Sequence, residues 1–210
     1  RDAYRFDGSY LRAGVGRYDD GRFKPTFGLV TATEALGGRL LASLNVQDRY
    51  NPKRKRSDRF DEPGGDLVSF EDQADTRDGQ DYSATLSFAA PLGPGRFQLD
   101  GFAVRTDRRQ TEVSAETEFD DDDTVFSDVP GLTRVQQSNW GLGAEYRFDL
   151  LGGTTRLSLE HARFQDDNVE REESLTYVNG VWDEGEGEKT AFDSGDRETA
   201  FSLVHQRSLG

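Results

Sequence analysis

Hydrophobic and polar residues alternate with a period of two over much of this chain. The clearest stretch is residues 140–150. There Trp140, Leu142, Ala144, Tyr146, Phe148 and Leu150 share one parity, and Gly141, Gly143, Glu145, Arg147 and Asp149 share the other. Successive side chains of a strand point to opposite faces, so this is one apolar and one polar face over a length that a tilted strand needs to cross a bilayer core. Residues 82–90 repeat it, with Tyr82, Ala84, Leu86, Phe88 and Ala90 in register, as do 40–49, 155–161 and 201–206. Weaker runs lie at 4–17, where the phase slips near Tyr10 and Leu11 in the manner of a β-bulge, at 27–33 and at 97–105. Eight strands are predicted, and no segment has a helical period.

The connections sharpen the picture. Glu34-Ala35-Leu36-Gly37-Gly38, Pro91-Leu92-Gly93-Pro94-Gly95 and Leu151-Gly152-Gly153-Thr154 are hairpin-turn sequences. Between them stand three long polar connections, about residues 50–81, 106–139 and 164–198; only Tyr18-Asp19-Asp20-Gly21 is short on that side. Tight turns therefore alternate with long connections, which predicts the turns near Gly37, Gly93 and Gly152 on one rim and the long loops on the other. Outer-membrane barrels have this asymmetry. The same alternation would suit a soluble sandwich or barrel with its apolar face inward. The polar parity favours the membrane, because it carries Gly, Ser, Thr, Asn, Gln and mixed charges rather than a Lys/Glu coat. The expected fold is all-β, an antiparallel up-and-down transmembrane β-barrel, with residues 1–210 as one barrel domain.

Composition trims the functional classes. The net charge of −14, from 40 acidic and 26 basic residues, opposes binding to nucleic-acid phosphate. With no cysteine there is no disulfide framework, thiolate metal site or cysteine nucleophile. No apolar run is long enough for a transmembrane helix. A hydrophobic fraction of 33% raises disorder as an alternative, but 11% aromatics and the periodicity confine that to the connections.

The order of parts resembles the opening portion of the barrel of a TonB-dependent receptor. Residues 1–18, with Tyr4-Arg5-Phe6-Asp7-Gly8-Ser9-Tyr10, resemble the first barrel strand of that family. Leu44-Asn45-Val46-Gln47-Asp48-Arg49-Tyr50-Asn51 resembles a strand leaving the membrane into its outer loop, and hairpins 82–105 and 139–164 have the family's style. The resemblance is one of pattern, without a short diagnostic motif. It implies a fragment of a 22-stranded barrel in the bacterial outer membrane, a plug and a TonB-coupling segment outside this stretch, and uptake of a scarce nutrient such as a ferric siderophore. Ser208-Leu209-Gly210 lacks the terminal aromatic of an outer-membrane strand and looks like a turn into a further strand. Strands one and eight are therefore expected not to pair with each other. The partners implied are outer-membrane lipid and lipopolysaccharide, the nutrient and the TonB complex. An alternative is a self-contained eight-stranded barrel with a structural or adhesive role; a soluble all-β binding module stands third.

No catalytic arrangement, metal site or cofactor motif is read from the sequence, and a non-enzyme is expected. Asp120-Asp121-Asp122-Asp123 lacks the spacing of a calcium loop, and Asp72, Asp75, Asp78 and Asp81 fit no metal motif. The basic run Lys53-Arg54-Lys55-Arg56, with Arg59, either pairs with nearby acids or contacts an anionic ligand. The ligand-binding candidates are Tyr50, Arg54, Arg56, Phe60, Phe119, Phe126, Tyr177 and Trp182 in the long connections. Such aromatics, Phe70 among them, either offer ligand contact area or pin the loops to one another.

Overall fold

The computed structural model describes residues 7–120 and 123–207. Eight strands form one antiparallel sheet in sequence order: β1 Gly8–Arg17, β2 Phe23–Ala35, β3 Gly38–Phe60, β4 Leu67–Leu92, β5 Gly95–Asp120, β6 Asp123–Leu150, β7 Gly153–Val178 and β8 Val181–Gln206. The expected eight-stranded up-and-down meander is therefore present, with β1 and β8 as its two edges. The resemblance at Tyr4 and Phe6, the reading of Asp121 and Asp122, and that of Ser208-Leu209-Gly210 lie outside the described residues.

Turn chemistry fixes one rim. Leu36-Gly37 and Leu151-Gly152 both have positive φ at each central residue, at 54° and 73° and at 53° and 73°. That is the hairpin geometry matching the right-handed twist of the flanking strands. Gly93 supplies the positive φ between β4 and β5. An up-and-down meander puts these three turns on one rim and the other four connections opposite, as predicted.

Two expectations fail in detail. The slip near Tyr10 is not a bulge, because β1 and β2 pair without interruption from Gly8 opposite Ala32 to Arg17 opposite Phe23. Tyr10 faces Val30 instead, so an aromatic on the polar face imitated a change of phase. The register shifts fall at Arg59/Phe60 and Thr176/Tyr177. The segments 50–81, 106–139 and 164–198, expected as loops, are mostly paired strand. The strands run on to a tight tip at 61–66, to the facing pair Asp120 and Asp123, and to Asn179-Gly180, giving β6 a length of 28 residues. Each arm strand has a neighbour able to satisfy its backbone, so polarity on both faces does not stop it extending. The ladder between β6 and β7 skips Val129 and Pro130, where proline has no N–H to give.

Cross-strand pairing places the apolar parities of all eight strands on one face. One rung runs Leu11, Leu29, Leu44, Ala84, Ala103, Trp140 and ends on Arg163 and Arg197. The rung four residues nearer the turn rim starts on Thr33 and runs Leu40, Phe88, Leu99, Ala144, Leu159, Phe201. The apolar belt thus crosses the ladder obliquely, its midpoint moving from Ala13 on β1 to the Phe201–Leu203 region on β8. That drift is about one residue per strand, and with ~3.3 Å per residue and ~4.8 Å between strands it corresponds to a tilt of about 35°. Transmembrane strands tilt by about 35–45°. A flat apolar slab crossed by tilted strands leaves this trace.

The sheet is a single layer. Among the described residues the buried hydrophobic positions are Ala32, Tyr50 and Val135, whereas Leu142 is 49% exposed, Leu159 53% and Phe201 69%. A soluble sandwich would cover that belt with a second sheet, and none is present among the described residues. On the opposite face Gly141 lies under the ring of Phe102, where a Cβ would come within 2.6 Å of Cε1; this explains a glycine in the middle of a central strand.

Leu142 lies on the belt close to its middle on β6. Replacing it with arginine should cost about 2–4 kcal/mol in a bilayer, while arginine at Ser158 on the polar face should cost much less. Denaturant titration of the protein in vesicles checks this; equal costs would mean that the belt does not face lipid.

Candidate functional site

Beyond the belt the strands continue as arms, and the residues singled out in the sequence lie there. Alternation divides them by face. Tyr50, Arg54, Arg56, Phe119, Phe126 and Tyr177 lie on the belt face, through rungs such as Tyr50–Asp78–Arg109–Arg134 and Thr117–Phe126–Tyr177. Phe60 pairs with Leu67 past the first register shift, and Trp182 pairs with Tyr177 past the second. Several meet in pairs: Phe70 with Phe119 at 6.1 Å between centroids, and Phe126 with Tyr177 at 6.0 Å. Arg56 covers the Phe70 ring at 4.9 Å and pairs with Asp58 at 3.1 Å. Phe60 and Trp182 stay exposed, at 52% and 61%.

Tyr50 anchors the most closely knit cluster, whose members Tyr18, Asp20, Arg22 and Lys24 were not among the candidate site residues. The short β1–β2 connection turns at Gly21, with φ of 83°, and lays Tyr18 edge-on to Tyr50 at 4.9 Å. The Tyr50 hydroxyl donates to the Asp20 carboxylate. Arg22 stands 4.8 Å over the Tyr50 ring and pairs with Asp20 at 3.4 Å and Asp78 at 3.3 Å; Lys24 reaches Asp78 at 2.5 Å. The cluster latches the first hairpin to the base of the β3–β4 arm. Its faint sequence signal is the alternation of Tyr18, Asp20, Arg22 and Lys24, since nothing local joins them to Tyr50.

The hydrogen bond from Tyr50 holds Asp20 below the ordinary carboxyl value, against desolvation and with help from Arg22. The same bond raises the Tyr50 phenol above its usual value.

Open depressions lie on the polar face, two of them beside residues already described. One, of about 330 Å³, lies over Gly141 and Gly143 between Asp100, Phe102, Glu145 and Glu160. The other, of about 780 Å³, lies where the arms leave the belt and is bordered by Asn45, Arg49, Asp81, Arg108 and Gln137. Asp81 is held there by Arg49 at 2.5 Å and by the Thr106 hydroxyl at 2.9 Å.

The acidic and basic runs also divide. Asp75 and Asp81 lie on the polar face, Asp72 and Asp78 on the belt face, so a spacing of three does not gather them. Lys53, Lys55 and Arg59 fall on the polar face, opposite in sense to Arg54 and Arg56. Among the described residues no group of three or more His, Cys, Asp or Glu could hold a metal ion. His161 lies beside Trp140 at 5.3 Å, and His205 bonds Thr155 at 3.0 Å. At the tips, Asn179 donates to Asp123 at 2.7 Å and accepts from the Thr124 amide at 3.0 Å, stitching the β5–β6 and β7–β8 hairpins together.

The chain matches no protein-family model and no curated protein. Solved structures with some similarity include a major outer membrane protein from Thermus thermophilus, at 16% identity over 93% of this chain and 96% of that one, with a TM-score of 0.23. Others are a loop-deletion mutant of the outer membrane protein OmpT of Vibrio cholerae (7% identity, 92% and 100% covered, TM-score 0.14) and the outer membrane channel DcaP of Acinetobacter baumannii (7%, 96% and 99%, TM-score 0.12). At such TM-scores none of these bears on the architecture, which rests on the ladder and the exposed belt.

The latch predicts a pH dependence. A depressed Asp20 contributes stability that is present above the ordinary carboxyl value of about 3.9 and lost as pH falls through its lower folded value. A raised Tyr50 contributes stability present below about pH 10 and lost as pH rises through its higher folded value. The stability gap between the native protein and Tyr50→Phe should therefore be widest in between and shrink at both extremes. Unfolding midpoints across pH measure it; a constant gap would remove the Asp20–Tyr50 bond as its source.

Proposed function

We propose that this chain forms part of the wall of a bacterial outer-membrane β-barrel, and that the barrel is a receptor and transporter for a scarce nutrient such as a ferric siderophore. The observation that carries the membrane placement is the exposed apolar belt crossing a single-layer sheet at the tilt of transmembrane strands. Soluble sheets bury such a face; a bilayer covers it without a second layer. The receptor reading is supported by the one-sided arms, which raise a tall polar surface above the depression around Arg49, Asp81 and Arg108. It assigns the chain no catalysis and no cofactor. Energy coupling through TonB, and the plug that would move the ligand, would come from polypeptide outside these residues.

A structural or adhesive barrel is the second reading, favoured by one observation: the arm-tip aromatics lie on the belt face and so point away from the polar surface. Uptake separates the two. Deleting the gene should abolish accumulation of at least one labelled ferric siderophore, and deleting TonB should reproduce the loss. Unchanged uptake together with reduced surface attachment would replace the receptor with the adhesive barrel.

A further inference from the structure

β3 is much longer than the strand before it. β2 has 13 residues and β3 has 23, and their ladder ends at Thr26 opposite Gln47. From Asp48 to Phe60, β3 therefore has β4 on one side and, among the described residues, no strand on the other. This free edge arises inside the sheet, from neighbours of unequal length and not from an end of the chain. Pairing with β4 continues without a shift from Arg39 opposite Ala89 to Arg59 opposite Ser69, so the edge is held extended.

The turns show which backbone groups face outward. Ala35 and Gly38 close a two-residue hairpin, so they exchange hydrogen bonds with each other. Alternation then aims the N–H and C=O of even-numbered β3 residues toward β2, and those of odd-numbered ones toward β4. Leu92 and Gly95, which close the β4–β5 turn, give the same phase through Ala89 opposite Arg39. Beyond Gln47 the outward groups thus belong to Asp48, Tyr50, Pro52, Arg54, Arg56 and Asp58. Proline at position 52 lacks a donor on the open side, where its absence leaves the ladder to β4 intact. Below it, Tyr50 is engaged by the latch. What remains is a short open row at Arg54, Arg56 and Asp58, bounded by Pro52 below and by the register shift at Arg59/Phe60 above.

The same stretch is basic. Six cations and two acids lie between Asp48 and Phe60, in a chain of net charge −14. Arg49 pairs with Asp81, and Arg56 with Asp58 and Asp72. Lys53, Arg54, Lys55 and Arg59 are exposed and join no ion pair among the described residues. Asp75 stands opposite Lys53 but turns to Arg77, at 3.4 Å. Lys53 and Lys55 lie on the polar face and Arg54 on the belt face, so adjacent cations flank the edge on both sides of the sheet.

We propose that the β3 arm edge takes up an acidic, extended polypeptide segment of a partner protein as an added strand. The segment's backbone bonds to the outward groups of Arg54, Arg56 and Asp58, and its side chains lie beside the cations. Because neighbouring cations point to both faces, the segment carries adjacent acids and not acids at every second position. Charge complementarity selects this occupant. Basic residues and proline keep edge strands from indiscriminate pairing, and here they do so selectively. A second copy of the same edge would set cations against cations, whereas an acidic strand relieves their mutual repulsion.

The test titrates the full chain in detergent micelles with short labelled peptides of equal charge. One has its glutamates adjacent, an isomer has them alternating with threonine, and a third is the first peptide fully N-methylated, which keeps the charge and donates nothing. The first should bind most tightly, and more weakly as salt is added. Combining Lys53→Gln, Arg54→Gln and Lys55→Gln should weaken it on the order of tenfold. Asp58→Asn and Asp58→Pro remove the same acid, but only proline removes the outward N–H. The Asn variant should bind at least as well as native protein, and the Pro variant about two- to tenfold more weakly than the Asn variant, the effect of one hydrogen bond. Equal binding by those two variants, or by the methylated and unmethylated peptides, would overturn strand addition; the peptide comparison on native protein decides this even where Asp58→Pro does not fold. Equal binding by the two isomers would overturn the requirement for adjacent acids. Self-association of native protein that excludes the peptide would make a second copy the occupant and overturn the proposal.

Discussion

Every amide and carbonyl in a single-layer sheet must find its partner on the adjacent strand, because no second layer exists to supply one. Between neighbouring strands that requirement is met by a ladder running from the turn rim to the arm tips, with a gap at Val129 and Pro130 where proline withholds its donor; the outer edges of β1 and β8, and of β3 beyond Gln47, have no neighbouring strand among the described residues. The rest follows from it. Since the backbone between neighbouring strands is satisfied within the sheet, one face can be apolar across all eight strands without a packed core, provided that something outside the sheet covers it. The oblique path of the belt then reports how the strands stand relative to that cover.

The same ladder explains which parts of the fold were legible in the sequence. Residues 140–150 announce themselves because apolar and polar parities separate cleanly, and the pairing confirms each face. The arm of β8 gives no such signal. Glu184, Glu186 and Glu188 alternate with Gly185 and Gly187, so neither parity is apolar and the segment reads as a loop. Its conformation comes from β7, which is already extended and offers a free edge. One local signal was there to be used: Asn179-Gly180 between Val178 and Val181 is a two-residue hairpin sequence, with both residues at positive φ. Tyr10 shows the opposite error, since one aromatic on the polar face was enough to suggest a bulge.

The functional surface was less legible, for a different reason. Tyr50 stood out as an aromatic in a polar stretch, but its partners Tyr18, Asp20 and Arg22 are about thirty residues away and are brought in by the turn at Gly21. The facing of Arg109 and Arg134 is invisible along the chain because the two lie on different strands, twenty-five positions apart. Register alone places Arg109 between Asp78 on one side and Arg134 on the other. Pairwise charge in a sheet is a property of the rung, and the rung cannot be seen before the register is known.

The stitching of the tips by Asn179 changes what kind of motion the outer rim can make. A free loop samples new conformations in nanoseconds to microseconds, each independent of its neighbours. Here β4–β8 stay paired almost to their ends, and Asn179 ties the last two hairpins through Asp123 and Thr124. One arm cannot swing without shearing the hydrogen bonds it shares with the next. The rim therefore behaves as a stiff palisade, whose response to anything arriving above it is a collective bend, slower and smaller than the flicker of separate loops.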